Sequence, residues 1–198
     1  MSKIIEIPER LEDIPLSSYQ SYMKGLKEGM SEDDLAYHTV STLCSGDVEA
    51  IGALSIRELI LITAEIQRII NAETNVIYRF KIEETDYALI PDLKNISARE
   101  WTNIMQFLDN GKFENMHHVL AILYRPIVRE QFGRYELTSD IYSEDRARLF
   151  QSIGMHIVQG VMLFFSKIID SYSTHSKDYL QMKEMKANGN LNVLGGIT

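Results

Sequence analysis

The chemically capable side chains of this chain are few, and their spacing limits what they can do. Five histidines and one cysteine are present. His117 and His118 are adjacent, and neighbours on a helix project about 100° apart, so they lack the shared face that i,i+3 or i,i+4 spacing gives to metal ligands. His38, His156 and His175 are isolated in sequence. Cys44 has no CxxC partner and no second cysteine to bridge to; as a nucleophile it would need a histidine base, and His38 lies six residues earlier on another face of the same expected helix. It reads as a small buried hydrophobe. The acid pairs Asp33-Asp34 and Glu83-Glu84 fall at a helix start and in a turn, both solvated positions, whereas acid–base work needs carboxyls that converge on a cleft. Gly46, Gly52, Gly111, Gly195 and Gly196 match neither GxGxxG nor GxxxxGK[ST]. The expectation is a protein with no catalytic residue, no metal ligand and no cofactor.

Composition narrows the class further. The 198 residues are 45% hydrophobic and 24% charged, the balance of a globular protein, and suit a single core better than two small ones. A net charge of -8 disfavours a phosphate-tracking surface, because nucleic-acid affinity rests on Lys and Arg. The basic residues of 125–129 and 134–148 are interleaved with Glu130, Glu136, Asp140, Glu144 and Asp145, a mixed-charge surface. The opening residues turn charged and reach Pro8 before a signal-peptide core develops, and the most hydrophobic window, 155–169, holds His156, Gln159, Ser166 and Lys167 and falls short of the roughly 20 apolar residues of a membrane helix. A cytoplasmic protein with no membrane contact and no direct nucleic-acid binding is expected.

The elements that would position these residues are mostly helical. Residues 3–7 alternate as a short strand until Pro8. A helix follows Pro15 with Ser17 as its cap, a second starts at Ser31 and ends near Gly46, and the clearest runs from the capping box Ser55-Ile56-Arg57-Glu58 to Asn71, with Leu59, Ile62, Ile66, Ile69 and Ile70 on one stripe. Val76 to Ile82 alternate with a period of two, Glu83 to Asp86 read as a turn, and Tyr87 to Ile90 return, making one hairpin. The box Ser97-Ala98-Arg99-Glu100 opens another helix, closed at Asp109-Asn110-Gly111. Residues 114–124 are apolar nearly all round, the centre of a core, with Pro126 as their stop. A short helix from Ser143 and a long one after Gly154 complete the series. These spacings predict a mainly α fold of roughly seven or eight helices with one β-hairpin, a single helical-bundle domain over 1–187 with a third strand at 3–7 as an option, and a flexible tail over 188–198. The expected core holds Leu59, Ile62, Ile66, Phe80, Trp101, Leu120, Leu123, Phe150, Val161 and Phe165.

Two features are candidates for structural locks or partner contacts. Asp92 follows a strand and Arg125 ends a buried helix, so a carboxylate fixed by Pro91 could receive the guanidinium and tie hairpin to core, with a backbone carbonyl as the alternative acceptor. In the uncharged tail, Leu191, Val193, Leu194 and Ile197 could dock on a partner as a strand or helix. The order of segments, from Ile7-Pro8 and Leu16-Ser17-Ser18-Tyr19-Gln20 through Tyr87-Ala88-Leu89-Ile90-Pro91-Asp92 and Leu123-Tyr124-Arg125-Pro126-Ile127 to Val161-Met162-Leu163-Phe164-Phe165, resembles small helical morphogenesis proteins of tailed bacteriophages, some like tail assembly chaperones. The resemblance covers most of 4–172 and transfers no active site. It implies a non-enzymatic assembly or virion structural protein acting through protein contacts, with other phage structural or assembly proteins, or further copies of itself, as partners, in the host cytoplasm or incorporated in the particle. An enzyme without a recognisable motif and a small helical regulatory or nucleic-acid-associated protein stay open as alternatives.

Overall fold

The computed structural model describes residues 5–91, 96–109, 113–140 and 142–165. The chain divides into two compact units, Met1–Gly160 and Val161–Thr198, and nearly all the described elements belong to the first. Its helices are α1 (Leu16–Gly25), α2 (Glu32–Leu43), α3 (Val48–Gly52), α4 (Ile56–Ile70), α5 (Ala98–Asp109), α6 (Met116–Leu123) and α7 (Glu144–Leu149); α8 starts at residue 155 and is described to 165. Two short strands, β1 (Ile5–Glu6) and β2 (Ser45–Gly46), pair antiparallel. A second antiparallel sheet has the order β3 (Arg79–Ile82), β4 (Thr85–Leu89), β5 (Tyr124–Gln131) and β6 (Arg134–Leu137). The protein is mainly α with a small sheet, as its spacings predict.

Local chemistry sets most boundaries. Ser31 caps α2 by accepting from the Asp34 amide, and Ser55 and Glu58 close a reciprocal capping box on α4. At α1 the cap is Pro15, not Ser17: with φ -65° and ψ 147° it leads straight into the helix, and no side chain accepts a bond there. Between β3 and β4 the turn shrinks to Glu83-Glu84, with Glu83 at φ 51° and Thr85 already paired to Ile82.

The core is centred on α6. Its apolar residues Met116, Val119, Leu120, Ala121, Ile122 and Leu123 are all buried, as are Leu16, Val40, Leu59, Ile66, Leu89 and Ile104. Against the sheet, Phe80, Tyr87, Tyr124 and Phe150 form an aromatic cluster, with Phe80 edge-on to Tyr124 at 4.7 Å and Tyr87 edge-on to Phe150 at 5.1 Å. Ile62, Phe80 and Trp101 are half-buried rather than core; Phe80 lies on β3, an edge strand of the sheet with no strand on its far side among the described residues. The N-terminal segment is stitched to 153–155 by Leu16 N donating to Ile153 O (2.8 Å) and Met155 N donating to Ile14 O (2.9 Å). A Cβ on Gly154 would lie 2.5 Å from Glu12 O, so only glycine lets these backbones approach.

One hairpin is expected and two are present among the described residues. Pro126 does not stop a helix; α6 ends at Leu123, and Tyr124 is at once its C-cap and the first residue of β5. Pro126 sits within the sheet opposite Tyr87, its carbonyl accepting from Thr138 N at 3.0 Å. Replacing Leu120 by Ala should cost about 2 to 5 kcal/mol in urea unfolding, the range for a fully buried leucine; a loss within error would remove α6 from the core.

Candidate protein-contact site

Beyond the body of the sheet, β5 and β6 extend as a two-stranded arm. β5 meets β4 only through Tyr124, Arg125 and Pro126, and its remaining pairs are with β6. The register advances two residues on β5, from Ile127 to Arg129, for one on β6, from Leu137 to Glu136, so Val128 is an extra, exposed residue. Such a bulge bends and twists a strand, and here it stands where the arm leaves the sheet. At the tip, Gln131 pairs with Arg134 across Phe132 and Gly133, whose φ values of 52° and 72° define a type I′ turn. That turn favours Asn-Gly because both central residues are left-handed; here a phenylalanine takes the first place, and its ring is fully exposed. Arg129, Gln131, Arg134 and Glu136 flank it along a shallow open hollow, with the Arg129 guanidinium donating to Gln131 Oε1 at 3.1 Å.

A buried polar network anchors the base of the arm. Glu100 opens α5 in a capping box: its Oε2 accepts from Ser97 N (2.8 Å) and Ser97 Oγ (2.7 Å), and its own amide donates to Ser97 Oγ. Its other oxygen accepts from Arg125 Nη2 on β5. The two side chains are only 4% and 14% exposed, so this ion pair is made almost without water. Arg146 on α7 is also buried; Nε donates to Ala121 O at 2.9 Å and so satisfies a carbonyl in the last turn of α6, while Asp140 meets the same guanidinium at 3.7 Å. Burial pushes the Arg146 pKa down, with Asp140 opposing. Ile90 N donates to the Leu123 carbonyl and Tyr124 N to that of Leu120, so backbone bonds hold the passage from helix to strand from both the sheet and the helix. On the surface, Arg79 joins the arm to β3 through Glu130 at 3.1 Å.

Folding regroups the candidates that the sequence offers. Arg125 is a half-buried strand residue rather than a helix end, and the carboxylate it meets is Glu100; Asp92 lies outside the described residues, as do Leu191, Val193, Leu194 and Ile197, the tail at 188–198 and His175. His117 and His118 do not diverge as helix spacing suggests: at the first turn of α6 their ring centroids are 4.0 Å apart. Gln20 donates to His117 Nδ1 at 3.0 Å. Tyr142 donates to Glu144 at 2.5 Å, which leaves its oxygen to accept from His118 Nδ1 at 2.8 Å. Burial and Glu144 push the Tyr142 phenol up to about 12, so it is a fixed donor rather than a phenolate. Cys44 is buried and its thiol is raised to about 11, away from thiolate reactivity. His38 places Nε2 2.9 Å from Tyr22 O, a bond made with the ring N–H. Among the described residues, no three His, Cys, Asp or Glu side chains gather as a metal site, and no helix is long and apolar enough to cross a membrane. The arm itself was legible only in Phe132-Gly133 standing between Ile127 and the alternating Tyr135 and Leu137, a faint hairpin signal masked by the charges around it.

No family model matches the chain, and neither a curated protein nor a solved structure matches it.

Two measurements test this network. Glu100→Ala should destabilise the protein by about 3 to 5 kcal/mol, because Arg125 keeps a buried charge without its partner, whereas the pair E100M/R125M should recover most of that loss; equal losses in both would mean the charge pairing contributes nothing. Burial, with His118 beside it, lowers the His117 pKa to about 4. Its neutral form is therefore the folded form, the unfolded chain binds the extra proton between about pH 6.5 and 4, and stability falls as pH drops through that window. After allowing for its partial exposure, the His117 share of the fall should be about 1 to 2 kcal/mol, and His117→Gln should reduce the total by that amount, leaving the share of His156, which burial also lowers.

Proposed function

We propose that this protein acts through protein contacts, as an assembly or structural component, with the β5–β6 arm as the element its partner receives and Phe132 as the anchoring side chain. The observation that carries this reading is the tip. A bulky residue in a left-handed conformation costs on the order of 1 kcal/mol, and an aromatic ring in water gains nothing from folding. Asn at this position would relieve the strain, so the isolated fold has no use for phenylalanine there. A partner pocket does, because buried aromatics dominate protein interfaces, and the Arg129 and Arg134 side chains beside it supply hydrogen-bond donors for a polar rim. The segment order that resembles tailed-bacteriophage morphogenesis proteins supports other phage structural or assembly proteins as the partner class, and a tail assembly chaperone is one form this role could take. Such work needs no catalytic group or cofactor.

Phe132→Asn separates stability from function. The variant should be as stable as the parent or more so, by up to about 1 kcal/mol. A photo-crosslinking residue at position 132 should capture a defined partner in the cells or particles where the protein works, while the same residue at Glu84, the exposed tip of the other hairpin, should not. Competition by the parent chain should remove the crosslink and competition by F132N should not. Equal capture from both tips, or equal competition by F132N, would overturn the reading.

A further inference from the structure

Helix α4 is apolar on more faces than the core uses. Leu59, Ile66 and Ile69 are buried, yet Ile56, Ile60 and Leu61 are 49%, 47% and 62% exposed. With 3.6 residues per turn, Ile56, Ile60 and Ala64 form one outward row and Arg57, Leu61, Glu65 and Arg68 the next, every one of them exposed. The result is an apolar centre at Ile60-Leu61 with a cation one turn before it and an anion one turn after.

We infer that this face is where two copies of the chain associate, α4 against α4 in antiparallel orientation about a two-fold axis beside Ile60 and Leu61. Symmetry decides the direction. A parallel two-fold would set Arg57 against Arg57 and Glu65 against Glu65. The antiparallel arrangement instead packs Ile60 and Leu61 of one copy on those of the other and lays Arg57 opposite Ala64 and Glu65, twice over. Arg68 of the same helix donates to both oxygens of Glu65, at 3.0 and 2.5 Å, which fixes the carboxylate while each oxygen keeps a lone pair for the second guanidinium. Net charge is compatible with this: the chain carries -8, but α4 contains two arginines and two glutamates and is neutral, so the helix adds no net repulsion between two copies. This surface is separate from the arm, and neither reading depends on the other.

Sedimentation equilibrium of the full chain between about 1 and 200 μM tests it. The expected mass rises with concentration from the 22.8 kDa monomer towards twice that value. Leu61→Glu, at an exposed position, should hold the mass at the monomer, with an unchanged thermal melt at the low end of the range, where the parent is monomeric too. Arg57→Glu and Glu65→Arg should each weaken association at least tenfold, and the double swap R57E/E65R should restore it, since each new glutamate then faces a new arginine of the other copy. A monomer throughout the range, a dimer that survives Leu61→Glu, or a double swap that fails to restore association would overturn the proposal.

Discussion

The ion pair between Glu100 and Arg125 is the constraint on which the rest of the described unit depends. One carboxylate serves two elements: one oxygen finishes the cap of α5 with Ser97, and the other neutralises the second residue of β5. Both groups are nearly dry, and a buried charge is tolerable only when it is paired and hydrogen-bonded. Once Arg125 is held there, the chain must leave α6 as a strand, because Tyr124 and Arg125 are committed to β4 through Leu89 and Ala88. Two more carbonyls of the last helical turn, those of Ala121 and Leu123, then find donors in Arg146 and Ile90 rather than in water. A helix passes into a strand with no loop between them, and the buried cation at the junction is what makes that passage stable.

From this junction the sheet is directed outward. The inner residues of β5 are covered, Val128 marks the irregularity, and the outer residues pair with β6 alone. A two-stranded ribbon has little stability of its own, so the arm is held by its rooted end and by the Arg79 to Glu130 contact. Strain and exposed apolar area gather at its tip, in Phe132. The outward face of α4 shows the same kind of surplus, apolar side chains that the core of one chain leaves uncovered. In both places the sequence departs from what stability of the isolated fold would select, and the two proposed contact surfaces rest on that departure.

Much of the architecture could be read from the residues. The capping boxes at Ser55 and Ser97, the Ser31 cap, the apolar run of α6 and the period of two before Glu83 depend on groups within four residues of one another, and such local hydrogen bonds and periodicities are written directly in the chain. The mainly α class and the first hairpin followed from them, as did the placement of Leu120, Leu123 and Phe150 in the core.

Tertiary structure decided what required distance. That Glu100 would serve Arg125, 25 residues on, could not be seen, because Glu100 was already explained by its local cap and a carboxylate has a second oxygen that no spacing reports. Pro126 carries a local meaning as a helix stop, but β4 supplies a neighbour that makes it a strand residue. The His117 and His118 rings meet through side-chain torsions that helical geometry leaves free. The second hairpin was concealed because most of its residues are charged or polar and face outward, so burial imposed no alternation on most of the arm. Sequence alone therefore determined the elements whose bonds are local; the fold decided which charge is buried, where a helix becomes a strand, and which apolar residues are left facing water, because each of those depends on partners that only folding brings within reach.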